Sequence, residues 1–406
     1  MKTIAVIGAG ASGMTAALTA AENPDNQITL FERQARPGKK LLSTGNGRCN
    51  LTNRHCSPAH YHGEAMGFAD YALAEFGWEE TLAWFAGLGL MTVEEDSGRV
   101  YPLSDHAASV LDCLRLGVEN RGIRLLTGCD VRAVERSRGQ WYVSTAEAAE
   151  RFDAVILCCG GAAGARVGGT GEGYALAEAL GHRRTKLFPA VCRLRTENNG
   201  TLPLKGIRTQ AVIRLVKDKT VLAESRGEIQ FTDNGVSGPA AFELSRDAAR
   251  APKGTVVRLD LLPDTDRPSV IQYLKEKRAA FPDSVAGQLL TGTVHNTIGR
   301  TVVRLCAIAQ DEPLAALSDR ELAAVAGRLK QYDLALTGTA GFEDAQVTAG
   351  GIDCRDVDPR TMQSRICPGL YFCGELLDVD GDCGGYNLQW AWSSGHLAGL
   401  AAGGML

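Results

Sequence analysis

Residues 3–13 read Thr-Ile-Ala-Val-Ile-Gly-Ala-Gly-Ala-Ser-Gly, and this stretch decides the fold. Thr3 to Gly8 is short, apolar and rich in β-branched side chains, the pattern of a buried parallel strand. The alanine-rich residues 12–22 read as a helix and Gln27 to Glu32 as a second strand, which together make a βαβ unit. Gly8-x-Gly10-x-x-Gly13 opens the helix. Gly8 makes the tight turn, Gly10 lets backbone approach a pyrophosphate, and Gly13 lets helix and strand pack closely. Ala11 and Ser12 then lie at the helix N-terminus, where free N–H groups and the dipole favour an anion. Glu32 ends the second strand; its carboxylate accepts hydrogen bonds from both ribose hydroxyls, and its charge disfavours a 2′-phosphate. The stretch therefore predicts a bound dinucleotide.

Working outward, a polar Gly-rich segment runs from Pro37 to Asn53, and residues 64–90 and 105–121 read as helices. Strands follow near 123–126, 129–136, 140–145 and 153–158, the last ending at Gly160-Gly161. Alternating β-branched sequence fills 190–260, and 267–332 switches to helical periodicity, with Ser318 and Glu321 forming a capping box. Strand signals return near 345–355 and 369–373, and a last helix begins around Leu388. A length of 406 residues calls for two or three domains. The organisation expected is a dinucleotide-binding domain over 1–190 and 345–406, interrupted by a β-rich insertion (191–260 and 334–344) and a helical one (261–333).

The C-terminal region separates FAD from NAD. Leu370 to Gly374 is a strand ending at glycine, Glu375 follows, and Gly384-Gly385-Tyr386-Asn387-Leu388-Gln389 opens a second Gly-rich helix. A second helix start suits the far end of a long cofactor. In two-part flavoproteins a late acidic residue binds ribityl hydroxyls, and the late helix dipole stabilises an anionic reduced ring. Asp378, Asp380 and Asp382 do not make a calcium loop, because glycine falls at the fourth position and Gln389 at the twelfth. No Cys or His pair has zinc spacing, so no metal is expected.

The segment from Gly38 to Asn53 is too polar for core and contains Lys39, Lys40 and Arg48, which suit pyrophosphate or reduced flavin. Cys49 is the candidate acid beside the ring, weighed against the commoner role of a small buried side chain. Cys49 and Cys56 do not read as a disulfide reductase pair, because no second Gly-x-Gly fingerprint exists for NAD(P)H. Phe231 to Pro239 is a turn-forming loop that either covers the flavin or connects a strand to a helix. The seven histidines are scattered, and none pairs with a nucleophile.

Twelve cysteines without regular spacing predict a reduced, cytoplasmic protein. No run of apolar residues suggests a membrane span, and three glycines break the N-terminal run that imitates a signal peptide. The net charge is −4, yet Arg183 to Lys219 holds ten cations against Glu197 and Asp218. Such a local excess suits a polyanion or an anionic ligand, against the plainer reading of a solvated face.

Gly8–Gly13, Lys39–Asn53, Phe231–Ser245 and Val347–Gly399 together resemble the YhiN/BaiN flavoproteins, the "aminoacetone oxidase family FAD-binding enzyme" group. The last stretch carries Gly-Glu-Leu-Leu-Asp-Val-Asp-Gly and Gly-Gly-Tyr-Asn-Leu-Gln-Trp-Ala-Trp-Ser-Ser-Gly. Cys158-Cys159 stands where that group usually has Ala-Thr, and Cys383 where threonine is common. The resemblance implies an α/β fold: a two-part FAD-binding Rossmann-like domain with an inserted β-barrel-like subdomain and a helical subdomain. It implies reduction of activated C=C bonds, either a uridine of large-subunit ribosomal RNA to dihydrouridine or a steroid-like enone, with hydride delivered from flavin N5.

The candidate FAD-binding set is Gly8, Gly10, Ala11, Ser12, Gly13, Glu32, Arg33, Lys39, Lys40, Gly45, Asn46, Arg48, Asn50, Val131, Gly160, Gly374, Glu375, Gly385, Tyr386, Asn387 and Leu388. Arg193, Arg195, Lys205 and Arg208 are the candidate substrate-binding cations. Ribosomal RNA is the expected partner, and NAD(P)H, without a dedicated domain, the expected electron donor. A small-molecule reductase or oxidase acting on an enone or amine, and a non-catalytic flavin-bearing RNA-binding factor, are the alternatives.

Overall fold

Thr3–Ile7 (β1) is the middle strand of a five-stranded sheet in a computed structural model that describes residues 1–197 and 201–406. Its partners are Gln27–Phe31 (β2), Arg124–Leu126 (β3), Ala154–Leu157 (β4) and Leu370–Phe372 (β5). The spatial order is β3-β2-β1-β4-β5, and every neighbouring pair is parallel. Ile4, Ala5 and Val6 are fully buried, as a strand covered on both faces requires. The chain leaves β1 through helix α1 (Ala11–Ala20) towards β2, while β4 lies on the other side of β1. The strand order reverses between β1 and β4, and ligands of open α/β sheets bind outside the carboxyl ends at that point.

The final helix, α2 (Tyr386–Gly403), packs along α1. A Cβ on Gly395 would lie 2.5 Å from the Ser12 carbonyl oxygen, and one on Gly399 would lie 2.6 Å from that of Ala16. The two helices therefore meet backbone to backbone, which joins the last sixty residues to the first βαβ unit.

Several expected boundaries shift for identifiable reasons. The helix expected over 64–90 divides into Asp70–Glu75 and Trp78–Gly87. At the break the Phe76 carbonyl turns to α2 and accepts from Gln389 Nε2 (3.0 Å) and Ser393 Oγ (2.6 Å). α2 begins at Tyr386, two residues before Leu388, directly after Gly385 in the left-handed region (φ 101°). The strand expected at 129–136 starts at Ala133.

The chain forms two units, Met1–Phe188 with Phe342–Leu406, and Pro189–Gly341. The second contains a closed six-stranded barrel. Going round, the strands are Leu194–Thr196, Gly235–Ser237, Thr220–Thr232, Arg208–Lys217, Val256–Asp260 and Tyr332–Thr339. Ala211, Ile213 and Leu215 point inwards and are fully buried, the period of two that one wall of a barrel dictates. The Phe231–Pro239 loop is part of this wall: Phe231 pairs with Val236 across a hairpin, and the chain then enters helix Pro239–Glu243, so the segment connects strand to helix. The helices Arg267–Ala280, Asn296–Leu305 and Asp319–Lys330 complete the unit. Ser318 Oγ accepts the Glu321 N–H (3.3 Å), and Glu321 accepts the Ser318 N–H (2.7 Å), which forms the expected capping box. Among the described residues no helix is long and apolar enough to cross a membrane. No disulfide joins any of the twelve cysteines.

Candidate active site

The loop after β1 is shaped by its glycines. Gly8 has φ 106°, and a Cβ there would lie 2.5 Å from the Cys158 carbonyl oxygen at the end of β4. A Cβ on Gly13 would lie 1.8 Å from the Gly8 carbonyl oxygen, so this position admits hydrogen alone. Gly10 differs: nothing lies within 4 Å of its Cβ position, and the same is true of Gly160 beyond β4. These two glycines border open space at the switch point. α1 has no side-chain cap and no acid in its first turn, which leaves its dipole available to an anion.

Glu32 is fixed from two sides. Its carboxylate accepts the Ala9 N–H (2.9 Å) on one oxygen and the Gln34 N–H (2.7 Å) on the other. Each oxygen keeps a second lone pair for a ribose hydroxyl. Hydrogen bonds to a charged group contribute about 1.5–3 kcal/mol, so Glu32→Ala is expected to weaken FAD binding roughly 10- to 100-fold, measured by fluorescence titration of the apoprotein. Next to it, Arg33 pairs with Glu172 and donates to the Gly168 carbonyl (3.3 Å). Val131 is half-buried against the same core, just beyond Cys129, whose N–H reaches the Glu32 carbonyl (2.9 Å).

The candidate for the second end combines the polar segment with the start of α2. Gly45, Asn46, Gly47 and Cys49 all take left-handed φ values of 56°, 57°, 87° and 61°. Left-handed backbone is costly for Asn46 and Cys49, and such strain clusters at ligand sites. Asn50 Oδ1 is buried without a hydrogen-bond partner and lies 3.0 Å from the Cβ position of Gly385. An unmet buried acceptor costs about 1–3 kcal/mol, so a donor from a bound group is the physical expectation there. Gly374 closes the cradle: its Cβ position is 2.4 Å from Ser12 Oγ, which brings the end of β5 onto the start of α1.

Other predicted residues take different roles. Lys40 Nζ is 2.5 Å from Glu375 Oε2, and Glu375 Oε1 accepts the Thr348 N–H (2.7 Å). Arg48 lies 4.0 Å over the Tyr101 ring and pairs with Glu95 (2.7 Å) and Asp105, so its charge is balanced within the protein. Lys39 is exposed. Asn387 uses its side chain on the backbone of Gly381 and Asp382, and Leu388 packs half-buried on the core. Cys49 is fully buried. Burial pushes its thiol up to about 12, against a smaller opposing effect of its hydrogen bond with Thr44. The structure thus packs Cys49 inside the loop and presents it to no surface.

The cations of 183–219 do not form one uncompensated patch. Arg183 and Arg184 lie in the first unit, paired with Asp353, Asp356 and Glu178. In the barrel unit Lys205 pairs with Asp233 (2.9 Å), Arg208 with Glu228 (3.6 Å), Arg214 with Glu224, and Lys217 with Asp218. Arg195 lies on the first barrel strand and Arg193 just before it, and both are half-buried. The excess read along the chain is offset in space by acids from neighbouring strands.

A cluster that the sequence reading passed over lies before α2, where His60 and His62 both reach Asp382. Nothing in their spacing signals it, since 320 residues and more separate the imidazoles from the carboxylate. Among the described residues no group of three or more His, Cys, Asp or Glu side chains is arranged to hold a metal ion.

A family model described as "HI0933-like protein Rossmann domain" matches residues 2–401. The chain belongs to the HI0933-like family. It is 40% identical over 408 residues to the 3-dehydro-bile acid delta(4,6)-reductase of Clostridium scindens, covering 99% of both chains. It is 30% identical to the ribosomal RNA dihydrouridine synthase of Escherichia coli, covering 96% of this chain and 95% of that one. Among solved structures, 3-ketosteroid delta1-dehydrogenase from Sterolibacterium denitrificans aligns over 100% of both chains with a TM-score of 0.51 and 12% identity, a likeness of fold. This HI0933-like protein is an FAD-dependent oxidoreductase. Its residues fit that cofactor: Gly10 and Gly160 border space for it, α1 offers an uncapped N-terminus, and Asn50 holds an acceptor in need of a donor.

Proposed function

We propose that this enzyme saturates a carbon–carbon double bond conjugated to a carbonyl, and that its substrate is a uridine of large-subunit ribosomal RNA. The observation that carries the reaction class is shared by two relatives that match nearly the whole chain. One is named for reducing a bile acid and the other for making dihydrouridine, and both substrates present the same electrophile. Bound and reduced, FAD supplies the hydride. The protein's own residues hold the cofactor: Glu32 on the ribose, the α1 N-terminus on the pyrophosphate, and the Gly45–Asn50 loop with the α2 N-terminus at the other end. In uridine the electron-poor carbon is C6, and C5 takes the proton.

The barrel unit supports the RNA reading. Lys205 and Arg208 are 62% and 65% exposed and pair with partly exposed acids. Surface pairs of that kind contribute roughly 0–1 kcal/mol, so phosphates can replace the carboxylates. A target uridine would leave its stack to reach the cofactor. A second reading, a small cyclic enone, is favoured by the 40% identity to the bile acid reductase and by the internal pairing of the cations.

Two measurements separate them. Nucleoside mass spectrometry of large-subunit RNA, with and without the gene, is expected to lose one dihydrouridine in the deletion. The purified enzyme is also offered a steroid 4-en-3-one. Unchanged dihydrouridine together with enone turnover would move the substrate to the second reading. Neither result would end the C=C reductase reading.

A further inference from the structure

Saturating a double bond consumes a proton as well as a hydride, and Cys49 is packed away from any surface that would deliver one. The cluster before α2, by contrast, carries partly exposed imidazoles. Tyr61–His62 and Asp380–Gly381 form a short antiparallel ribbon, with His62 opposite Asp380. The ribbon sets Asp382 between two imidazoles: His60 Nδ1 is 3.0 Å from Oδ2, and His62 Nε2 is 2.7 Å from Oδ1. The Asp382 N–H donates to the His60 carbonyl at 3.0 Å, which fixes the carboxylate relative to the ring. All three side chains are about one-third exposed, so a substrate or water can reach them.

The cluster is tied to the start of α2. The His60 ring stacks on Tyr386, the first residue of that helix, with centroids 4.2 Å apart and planes 16° from parallel. Tyr61 Oη donates to the Tyr386 carbonyl at 3.0 Å. Other ionisable groups surround it. Cys56 meets the Tyr61 hydroxyl, Asp378 accepts the Glu64 N–H, Glu64 pairs with Arg355, Cys383 follows Asp382, Asp380 lies two residues before it, and Arg99 comes near Gly384. Burial pushes the Asp382 carboxyl up, but hydrogen bonds from both imidazoles outweigh it and hold the group below the usual range. An ionised carboxylate only accepts, so the nitrogens facing it carry hydrogens. Nε2 of His60 is then the atom that takes and gives a proton.

We propose that His60, oriented by Asp382 and stacked on Tyr386, is the proton donor of the reduction, with His62 holding the shared carboxylate in place. The proposal rests on the C=C reductase reading. The hydride and its electron pair form a C–H bond at the carbon remote from the carbonyl. The π pair forms the second C–H bond, at the adjacent carbon, with the proton leaving His60 Nε2. The neutral imidazole regains a proton from water, and a reductant of the nicotinamide class restores the two electrons.

The test compares FAD-loaded wild type with His60→Gln/His62→Gln and with Asp382→Asn, after checking that FAD content and melting temperature match. Without substrate, the absorbance of the bound flavin is followed as a function of pH. The wild type is expected to titrate and the double variant to stay flat. With substrate, single-turnover reduction by the wild type should slow as pH rises, because the acid form is lost. The double variant should be about 10²- to 10⁴-fold slower and insensitive to pH, with Asp382→Asn between the two. A flat wild-type titration, or a double variant with the wild-type rate and pH profile, overturns the proton-donor role alone. A wild type that titrates normally but reduces neither uridine nor an enone defeats the functional reading, and the donor role with it.

Discussion

A Gly13→Val protein is expected to emerge from purification without FAD. The new Cβ would stand 1.8 Å from the carbonyl oxygen of Gly8, and that oxygen is backbone, so no side chain can rotate away. Gly8 cannot retreat either, because its N–H is bonded to the Phe31 carbonyl at 2.8 Å and its far side meets Cys158. α1 would have to lift off the sheet, yet α2 holds it through Gly395 and Gly399. Overpacking usually costs about 1–3 kcal/mol, and this site has no soft neighbour to absorb it. Moving the helix N-terminus also removes the anion site, so affinity should fall at least ~100-fold, about 2.7 kcal/mol. The ratio of flavin to protein absorbance reads the result. Gly10→Ala is the control: its Cβ enters open space, so the protein should fold as the wild type does while FAD binds more weakly. A Gly13→Val protein with full flavin content and unchanged melting temperature would refute the packing argument.

The second large effect is expected at Gln389, which is fully buried. Its Oε1 accepts from Thr52 Oγ1 at 2.5 Å, and its Nε2 lies 3.0 Å from the Phe76 carbonyl, 2.9 Å from Thr81 Oγ1 and 2.9 Å from Ser393 Oγ. One amide thus joins α2 to the polar segment and to the helix after Phe76. Leucine at this position keeps the volume and removes the amide. The Phe76 carbonyl still has Ser393, but the hydroxyls of Thr52 and Thr81 remain in a fully buried place with a partner lost. Buried polar groups left unsatisfied cost about 1–3 kcal/mol each, so Gln389→Leu should lower stability by about 2–4 kcal/mol in urea unfolding. A loss below about 1 kcal/mol would mean that the hydroxyls find other partners.

The local geometry of the Gly8–Glu32 unit was legible because its parts are close in sequence. Gly8, Gly10, Gly13 and Glu32 lie within one βαβ unit, and each residue type has a backbone reason to be where it is. Glu32 meets Ala9 as the motif requires, and Gly13 packs on Gly8. The capping box at Ser318 was legible for the same reason, since its partners are three residues apart. The Phe231–Pro239 loop was ambiguous, because a turn signal reads the same in a cover and in a strand-to-helix connection. The expected helix over 64–90 hid a break set by Gln389 and Ser393, more than three hundred residues away.

Charge was the least legible property. Ten cations along 183–219 suggested a basic face, but strand pairing puts Glu224 opposite Arg214 and Glu228 near Arg208. Cys49 looked like an acid within a polar loop, and the fold of that loop enclosed it.

By itself, then, the sequence determined the βαβ unit at its start and, through its two Gly-rich helix starts, FAD as the cofactor. These follow from backbone sterics and from periodicities that operate over a few tens of residues. Only the tertiary structure decided which cations are matched by acids, that Cys49 is enclosed, and that His60, His62 and Asp382 form one unit. Those outcomes depend on pairings between residues far apart in the chain, and no local pattern encodes which distant side chain will arrive.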